Sequence, residues 1–208
     1  MLTELLHRAA ANPFVYDTIQ VLAGAAPLDR RLAANLGDLA PRPTILDVGG
    51  GTGIPPSLWP AGTTYLCLDL DPLKLAGFRH KKRPGIALRA DATRLPIRAR
   101  SVDLVVCKNV GHHLSDSQLP VLFRESARVL KRGGQMLFID AILAPERWRS
   151  RLLWRYDRGS HPRTAETLRD TMASEFDLAH WEDFAIHFRY VLGVGTPRQT
   201  KVSSEPSP

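Results

Sequence analysis

A glycine-rich segment constrains this chain of 208 residues more than any other feature. Residues 45–53 read ILDVGGGTG, a short apolar run that contains an acid and leads into four glycines within five positions. Glycine has no Cβ, so its main-chain N–H groups can closely approach a bound molecule. Open α/β sheets bind their ligands outside the carboxyl ends of the strands. The segment therefore predicts a strand followed by a ligand-binding turn.

Two common nucleotide-binding patterns do not fit this turn. A dinucleotide fingerprint, G-x-G-x-x-G, requires a third glycine where Ile54 stands. A phosphate-binding P-loop ends in Gly-Lys-Ser/Thr, whereas Gly53 is followed by Ile54 and two prolines. The pattern that remains is D-x-G-x-G-x-G, which starts at Asp47, with a second acid, Asp69, at the end of the next apolar segment. An acid at that position can accept hydrogen bonds from both ribose hydroxyls.

Apolar segments alternate with helical ones along the chain. We predict strands at 44–48, 64–69, 86–89, 102–107 and 134–140, with helices between them. This alternation is typical of a parallel, doubly wound α/β sheet, in which right-handed crossovers place all carboxyl ends at one edge. Five polar side chains are then expected near that edge: Asp47, Asp69, Asp91, Asn109 and Asp140.

Two connections of this sheet have distinctive sequences. The segment from 54 to 63 contains three prolines, so its helix is expected to span one or two turns at most. After the fourth strand we predict a helix that Asp116 or Ser117 caps and that has Pro120 in its first turn. Gly133-Gly134 is expected to end that helix.

Residues 45–53 and Asp69 together resemble the class I S-adenosylmethionine-dependent methyltransferases. Further motifs of that family follow in order. Asp91-Ala92 matches its adenine-binding position, residues 101–114 match its fourth strand with the loop that follows, and residues 128–134 match the turn before its fifth strand.

The resemblance implies an α/β, Rossmann-like, doubly wound sheet of seven strands in the order 3-2-1-4-5-7-6. Its last two strands, near 176–187 and 188–194, would form an antiparallel pair. The domain itself is expected at 41–196, preceded by an N-terminal helical lid at 1–40. The polar residues 197–208 are predicted to be a disordered tail.

The resemblance also implies S-adenosylmethionine as the cofactor. The glycines would hold its amino-acid and ribose part, Asp69 its ribose hydroxyls and Asp91 the adenine amino group, while Asn109 would line the methyl side. The full set of expected cofactor-binding residues is Asp47, Gly49, Gly51, Gly53, Asp69, Leu70, Asp91, Ala92 and Asn109.

Two histidines, His112 and His113, follow the fourth strand, where this fold places the methyl acceptor. Methyl transfer from a sulfonium needs the acceptor atom held about 3 Å from the methyl carbon, with a free lone pair. A hydroxyl or protonated amine is helped by a general base near neutral pKa, and histidine is the usual one. One of the two could be that base, or it could pack on the cofactor or cap the next helix. Adjacent histidines do not easily chelate one ion, so no metal site is expected.

The flanking segments contain the candidate substrate contacts. We expect helices in residues 1–40, broken at Asn12-Pro13 and Ala26-Pro27, with Tyr16 either closing over the cofactor or packing in the core. Residues 145–174 form an insertion with two helical stretches, joined by a loop from which Arg158 and His161 could reach the substrate. An arginine-rich helix at 145–156 is equally compatible with a solvated surface.

The chain carries a net charge of +7. Solvated basic faces, an anionic substrate or lipid surface, and nucleic acid are three explanations that this charge leaves open. We predict methyl transfer to the oxygen, nitrogen or activated carbon of a small molecule, anionic and lipid-like ones included, with no nucleic acid and with a homodimer possible. The alternatives are a methyltransferase that acts on RNA, DNA or protein, and a catalytically silent cofactor-binding partner subunit. The sequence has no run of roughly 20 apolar residues, which predicts no transmembrane segment and a cytoplasmic location. Cys67 and Cys107 lie in different apolar strands and are predicted to be buried thiols.

Overall fold

A computed structural model describes residues 25–143, 161–186 and 189–199. The helices in these ranges are α1 (Ala25–Ala34), α2 (Pro72–His80), α3 (Leu119–Val129) and α4 (Ala165–Ala173). The strands are β1 (Thr44–Val48), β2 (Thr64–Asp69), β3 (Ile86–Arg89), β4 (Val102–Lys108), β5 (Leu130–Ala141), β6 (Phe176–Ala185) and β7 (Arg189–Pro197).

The strands form one seven-stranded sheet in the order β3-β2-β1-β4-β5-β7-β6, which confirms the predicted topology. Strands β1 to β5 pair in parallel, and β7 lies antiparallel between β5 and β6. Because parallel strands point the same way, the carboxyl ends of β1 to β5 lie along one edge. That edge is where the sequence places its glycines, acids and histidines.

Helices cover both faces of the sheet. On one face, α1 and α2 bury Leu28, Leu32, Leu75 and Phe78 against Ile45, Leu104 and Val106. On the other face, α3 and α4 bury Leu122, Phe123, Leu168 and Met172 against Leu46, Val105 and Phe138. Burial on both faces explains why the central strands read as continuous apolar runs rather than as alternating ones.

The first crossover is as short as its prolines predict. Between the glycine turn and β2, the structure contains a three-residue 3-10 turn, Pro56–Leu58, and no α-helix. Cys67 and Cys107 are buried free thiols, also as predicted. The sheet continues slightly beyond the predicted boundary, because β7 includes Pro197 and the next residue, Arg198, pairs with Asp177 at 3.2 Å.

Two predictions about the ends of α3 are wrong. Neither Asp116 nor Ser117 caps the helix; Gln118 occupies the N-cap, and Asp116 pairs instead with Arg163 at 2.7 Å. The helix ends at Val129, before the glycine pair, and Gly133-Gly134 lies inside β5. Val102 of β4 pairs with Leu130 of β5, but Leu104 pairs with Gln135, so β5 has extra residues between these two pairs. The glycines lie in this bulge, where Gly133 has φ +77°.

The predicted break at Ala26-Pro27 lies close to the start of α1, which begins at Ala25, and the residues before Ala25 lie outside the described ones. Pro27 itself lies within α1. It is the third residue of the range Ala25–Ala34, and proline is tolerated in a first helical turn because those amides have no intrahelical acceptor. Lid residues 1–24, Tyr16 among them, lie outside the described residues. So do Arg158 and the first helical stretch of the insertion; its second stretch is α4.

Candidate active site

The glycine turn follows β1 directly and has a backbone that favours glycine. Gly49, Gly51 and Gly53 have φ values of +69°, +58° and +83°, which side chains rarely adopt. A Cβ at Gly49 would lie 2.2 Å from Cγ2 of Val110, so the turn also packs closely on the segment after β4. The turn therefore presents bare backbone at the sheet edge and touches the loop that bears the two histidines.

Asp69 ends β2 and is 6% exposed. One of its carboxylate oxygens accepts a hydrogen bond from the N–H of Gly51 at 2.9 Å, and the other accepts from the N–H of Asp71 at 2.8 Å. A carboxylate has about four lone-pair sites, so two bonds leave capacity for further donors such as ribose hydroxyls. Leu70, the next residue, exposes 63% of its surface, an unusual fraction for a large apolar side chain beside a site.

The expected adenine-binding residues lie after β3. Asp91 is exposed, and its Oδ1 accepts hydrogen bonds from the backbone N–H and the hydroxyl of Thr93, both at 2.8 Å. Ala92 is half-buried. The N–H of Ala90 donates to the carbonyl of Asp69 at 3.2 Å, which joins this loop to the end of β2.

Asp47 is buried beneath the glycine turn. It is 1% exposed and accepts a hydrogen bond from the Tyr65 hydroxyl. Its Oδ2 lies so close to Gly50 that a Cβ added there would be only 2.6 Å away. The Tyr65 hydroxyl in turn accepts from the N–H of Ile54 at 3.0 Å. Burial raises the pKa of Asp47 from 3.8 to about 6, although the Tyr65 hydrogen bond opposes that rise. Asp47 and Tyr65 thus support the turn from below.

The raised pKa of Asp47 gives a testable pH dependence of stability. Between about pH 4 and 6, Asp47 loses its proton in the unfolded state but keeps it in the native state. The free energy of unfolding should therefore fall as pH rises through that window, by up to about 3 kcal/mol. Asp47→Asn removes the titration. Urea unfolding of both proteins from pH 4 to 7 should show the variant gaining stability relative to wild type as pH rises. Parallel pH profiles would contradict the assigned pKa.

Asn109 follows β4 and is held in a left-handed conformation with φ +59°. Its N–H donates to the carbonyl of Ile139 at 2.8 Å. Its side-chain Oδ1 is buried and has no hydrogen-bond partner among the residues that the structure describes. A buried acceptor without a donor is costly, so this atom favours a bound donor such as an ammonium group.

His112 is held by a buried acid at the end of β5. It is 5% exposed, its Nδ1 contacts Oδ1 of Asp140, and its backbone N–H donates to Oδ2 of Asp140 at 2.9 Å. A carboxylate can only accept, so Nδ1 carries the proton and Nε2 is the ring nitrogen that Asp140 does not hold. A Cβ at Gly111 would lie 2.3 Å from Asp140, which explains a glycine there. His113 is exposed, with its ring centroid 4.2 Å from that of His112.

Arg163 fixes the turn that bears His112. It is 8% exposed and donates to the carbonyls of Gly111 at 3.0 Å and Leu114 at 2.7 Å, besides pairing with Asp116. Two residues earlier, the N–H of His161 donates to the carbonyl of His112 at 3.1 Å. His161 is therefore next to the histidine turn, and its contact with a substrate stays a prediction. Arg163 itself was not among the predicted site residues.

The sequence alone also does not identify the buried residues that hydrogen-bond to the site residues. The sequence places Asp140 at the sheet edge but does not indicate its pairing with His112, and it indicates Tyr65 only as part of a strand. A usable signal existed in Asp140, an acid at the end of the apolar run MLFI, because a buried charge needs a partner. Nothing local to Tyr65 or Arg163 marks their roles.

The structure thus brings the glycine turn, Asp69, Asn109 and His112 to one edge of the sheet. No group of three or more His, Cys, Asp or Glu side chains is arranged to hold a metal ion in residues 25–143, 161–186 and 189–199. Across the same ranges, the helices are too short or too polar to cross a membrane.

Comparison with known proteins agrees with this geometry. Residues 46–138 match a family described as methyltransferase domain. An uncharacterized methyltransferase from Mycobacterium ulcerans is 38% identical over 137 residues, which is 64% of this chain and 52% of that protein. The chain thus spans about half the length of this curated relative, and 36% of a Mycobacterium bovis one.

Solved structures share the fold at low sequence identity. PH0226 protein from Pyrococcus horikoshii has a TM-score of 0.68 at 18% identity, over 82% of this chain and 88% of that one. Geranyl diphosphate C-methyltransferase from Streptomyces coelicolor, solved with Mg²⁺, geranyl diphosphate and S-adenosyl-L-homocysteine, has a TM-score of 0.66 at 15% identity. That match covers 84% of this chain and 81% of the other.

Proposed function

The chain carries a class I, S-adenosylmethionine-dependent methyltransferase domain, and from this premise we propose that it methylates a small-molecule acceptor with His112 as general base. The observation that carries the proposal is the buried Asp140–His112 pair at the sheet edge. It lies one turn from Asn109 and in the loop that packs on the glycine turn.

The residues at the edge fit the parts of the cofactor. The glycine turn leaves its backbone without side chains, which suits contact with the amino-acid end. Oδ1 of Asn109, which has no partner among the described residues, suits the ammonium group. Asp69 has acceptor capacity left for the ribose hydroxyls, and exposed Leu70 can lie against the flat adenine ring. We assign these residues to cofactor binding, with Asp91 and Ala92 near the adenine. Asp47 acts through the turn it supports.

The chemistry divides between cofactor and protein. When bound, S-adenosylmethionine supplies an electrophilic methyl group whose carbon–sulfur bond breaks as the acceptor lone pair attacks. His112 accepts the acceptor's proton at Nε2, so that the lone pair becomes available. Asp140 holds Nδ1–H, fixes the ring orientation and stabilises the imidazolium that forms. Arg163 holds the turn so that the ring does not move away.

A small acceptor is favoured by the enclosure of His112 and by the charge of the chain. At 5% exposure, the imidazole is reachable by a single reactive group rather than by a broad surface. The net charge of +7 suits an anionic acceptor. The neighbour from Streptomyces coelicolor is named for geranyl diphosphate, a small anionic lipid-like molecule, which is the class we propose here.

The acceptor class is tested by label transfer. Purified protein is incubated with methyl-labelled cofactor and extract of the source organism, and products are separated into small-molecule, lipid, RNA, DNA and protein fractions. We expect label in the small-molecule or lipid fraction, at a rate reduced in a His112→Gln control. Label in RNA, DNA or protein would contradict the proposal. Tight cofactor binding without transfer to any fraction would instead indicate a catalytically silent partner subunit.

A further inference from the structure

The first crossover lacks the element that open α/β sheets use to attract an anion. A helix normally follows the glycine turn, and its N-terminus carries partial positive charge and free N–H groups. Here Pro55 and Pro56 follow Ile54, and the segment contains only the 3-10 turn Pro56–Leu58. The carboxylate of the cofactor's methionyl group therefore needs another source of positive charge.

Two cations from a different element bond to the glycine turn. Lys81 Nζ donates to the hydroxyl of Thr52 at 3.0 Å, and Arg83 Nη1 donates to the carbonyl of Gly53. Both residues follow α2, whose Phe78 ring would lie 2.6 Å from a Cβ at Gly53. The end of α2 thus packs on the turn and brings two cations to it. Between the two cations, Lys82 is exposed to solvent.

The charges around the turn make these cations important. The carboxylates of Asp47 and Asp69 lie against Gly50 and Gly51, and both would repel an anionic ligand group. Lys108 is already paired with Asp29 at 2.6 Å. Arg83, by contrast, bonds to a carbonyl and makes no ion pair within the described part of the chain, so its charge is not neutralised by a partner acid.

We propose that Lys81 and Arg83 replace the helix N-terminus at the glycine turn and supply the positive potential that favours the cofactor's carboxylate. Their bonds to Thr52 and Gly53 hold both side chains at the turn, and their charge, rather than the shape of the turn, acts on the ligand's carboxylate. The Lys81–Arg83 pair explains how a chain with a proline-rich first crossover retains a binding site for an amino-acid moiety. The inference rests on the cofactor and is independent of the methyl acceptor.

Two ligands that differ only in the amino-acid end provide the test. S-adenosylhomocysteine carries the carboxylate and an ammonium group, whereas 5′-methylthioadenosine has the same adenosine and sulfur and lacks both. Loss of a nearby cation can weaken binding only through the carboxylate, because a cation repels the ammonium group. Lys81→Met and Arg83→Met should each weaken S-adenosylhomocysteine binding by about 5- to 20-fold, the effect of losing charge at a helix terminus. Binding of methylthioadenosine should not change. Calorimetry measures both affinities, and thermal unfolding confirms that each variant folds.

Two controls make the result specific. Lys82→Met removes the exposed neighbouring charge and should alter neither affinity, while Arg83→Lys keeps the charge and should retain most of the S-adenosylhomocysteine affinity. If Arg83→Met fails to fold, Lys81→Met and Arg83→Lys still decide the question. Equal weakening of both ligands would show that the cations only shape the turn and would overturn the proposal, as would unchanged affinity for both. A wild-type protein that binds neither ligand would refute the cofactor assignment itself.

Discussion

His112→Gln is expected to reduce turnover by about 10²–10⁴-fold, the usual loss when a positioned general base is removed. Glutamine keeps polarity and approximate size but has no nitrogen that can accept a proton near neutral pH. The affinity for S-adenosylhomocysteine should stay close to that of wild type, because the imidazole serves the acceptor rather than the cofactor. Steady-state kinetics with the identified acceptor, together with calorimetry, separates these two effects.

The neighbouring histidine is the matched control for this prediction. His113 is exposed, whereas Asp140 holds the ring of His112, so His113→Gln should leave turnover near normal. Asp140→Asn keeps the shape but removes the charge that orients Nδ1–H, so it should also slow turnover. If His112→Gln turns over at a normal rate, the acceptor arrives already ionised and the base assignment fails.

Asp69→Ala is expected to weaken cofactor binding by about 2–3 kcal/mol, roughly 30- to 150-fold, since hydrogen bonds to a charged acceptor each contribute about 1.5–3 kcal/mol. Besides binding the ribose hydroxyls, the carboxylate accepts a hydrogen bond from the N–H of Gly51 and so holds the glycine turn in place. Titration of S-adenosylhomocysteine into wild type and variant by calorimetry measures the loss.

Asp71 is an acid only two residues away with a structural role, so its variant is the control for Asp69→Ala. Its Oδ1 accepts from the N–H of Leu73 at 2.9 Å and caps α2. Asp71→Ala should therefore cost about 1 kcal/mol of folding stability, the usual value of an N-cap, with little change in cofactor affinity. A folded Asp69→Ala variant with wild-type affinity would remove Asp69 from the cofactor site.

Much of the fold follows from local sequence signals. Apolar runs alternating with helical segments located β1 to β4 within a residue, and the resemblance supplied the strand order. The errors arose where long-range pairing overrode a local rule. Gly133-Gly134 is a common helix stop, yet the β4–β5 register uses it for a bulge. Asp116 is a good N-cap candidate, yet Arg163, which lies 47 residues later, binds its carboxylate.

The site shows the same division. Glycines and acids at strand ends are visible in the sequence because their spacing is local. The partners that orient them are not, since Asp140 reaches His112 only through the register of β4 with β5, and Tyr65 reaches Asp47 only through that of β1 with β2. No local signal distinguishes Lys81 and Arg83 from solvated basic residues, because their contacts with the glycine turn depend on the packing of α2.

The most direct test of the account is a crystal structure of the protein with S-adenosylhomocysteine. We predict that the ligand lies along the carboxyl edge of β1 to β4, with its ribose hydroxyls on Asp69 and its ammonium group on Oδ1 of Asn109. The thioether sulfur, which marks where the methyl group departs, should face the imidazole of His112 across the space for the acceptor. A ligand bound elsewhere, or a sulfur directed away from His112, would contradict the proposed methyl transfer at this edge.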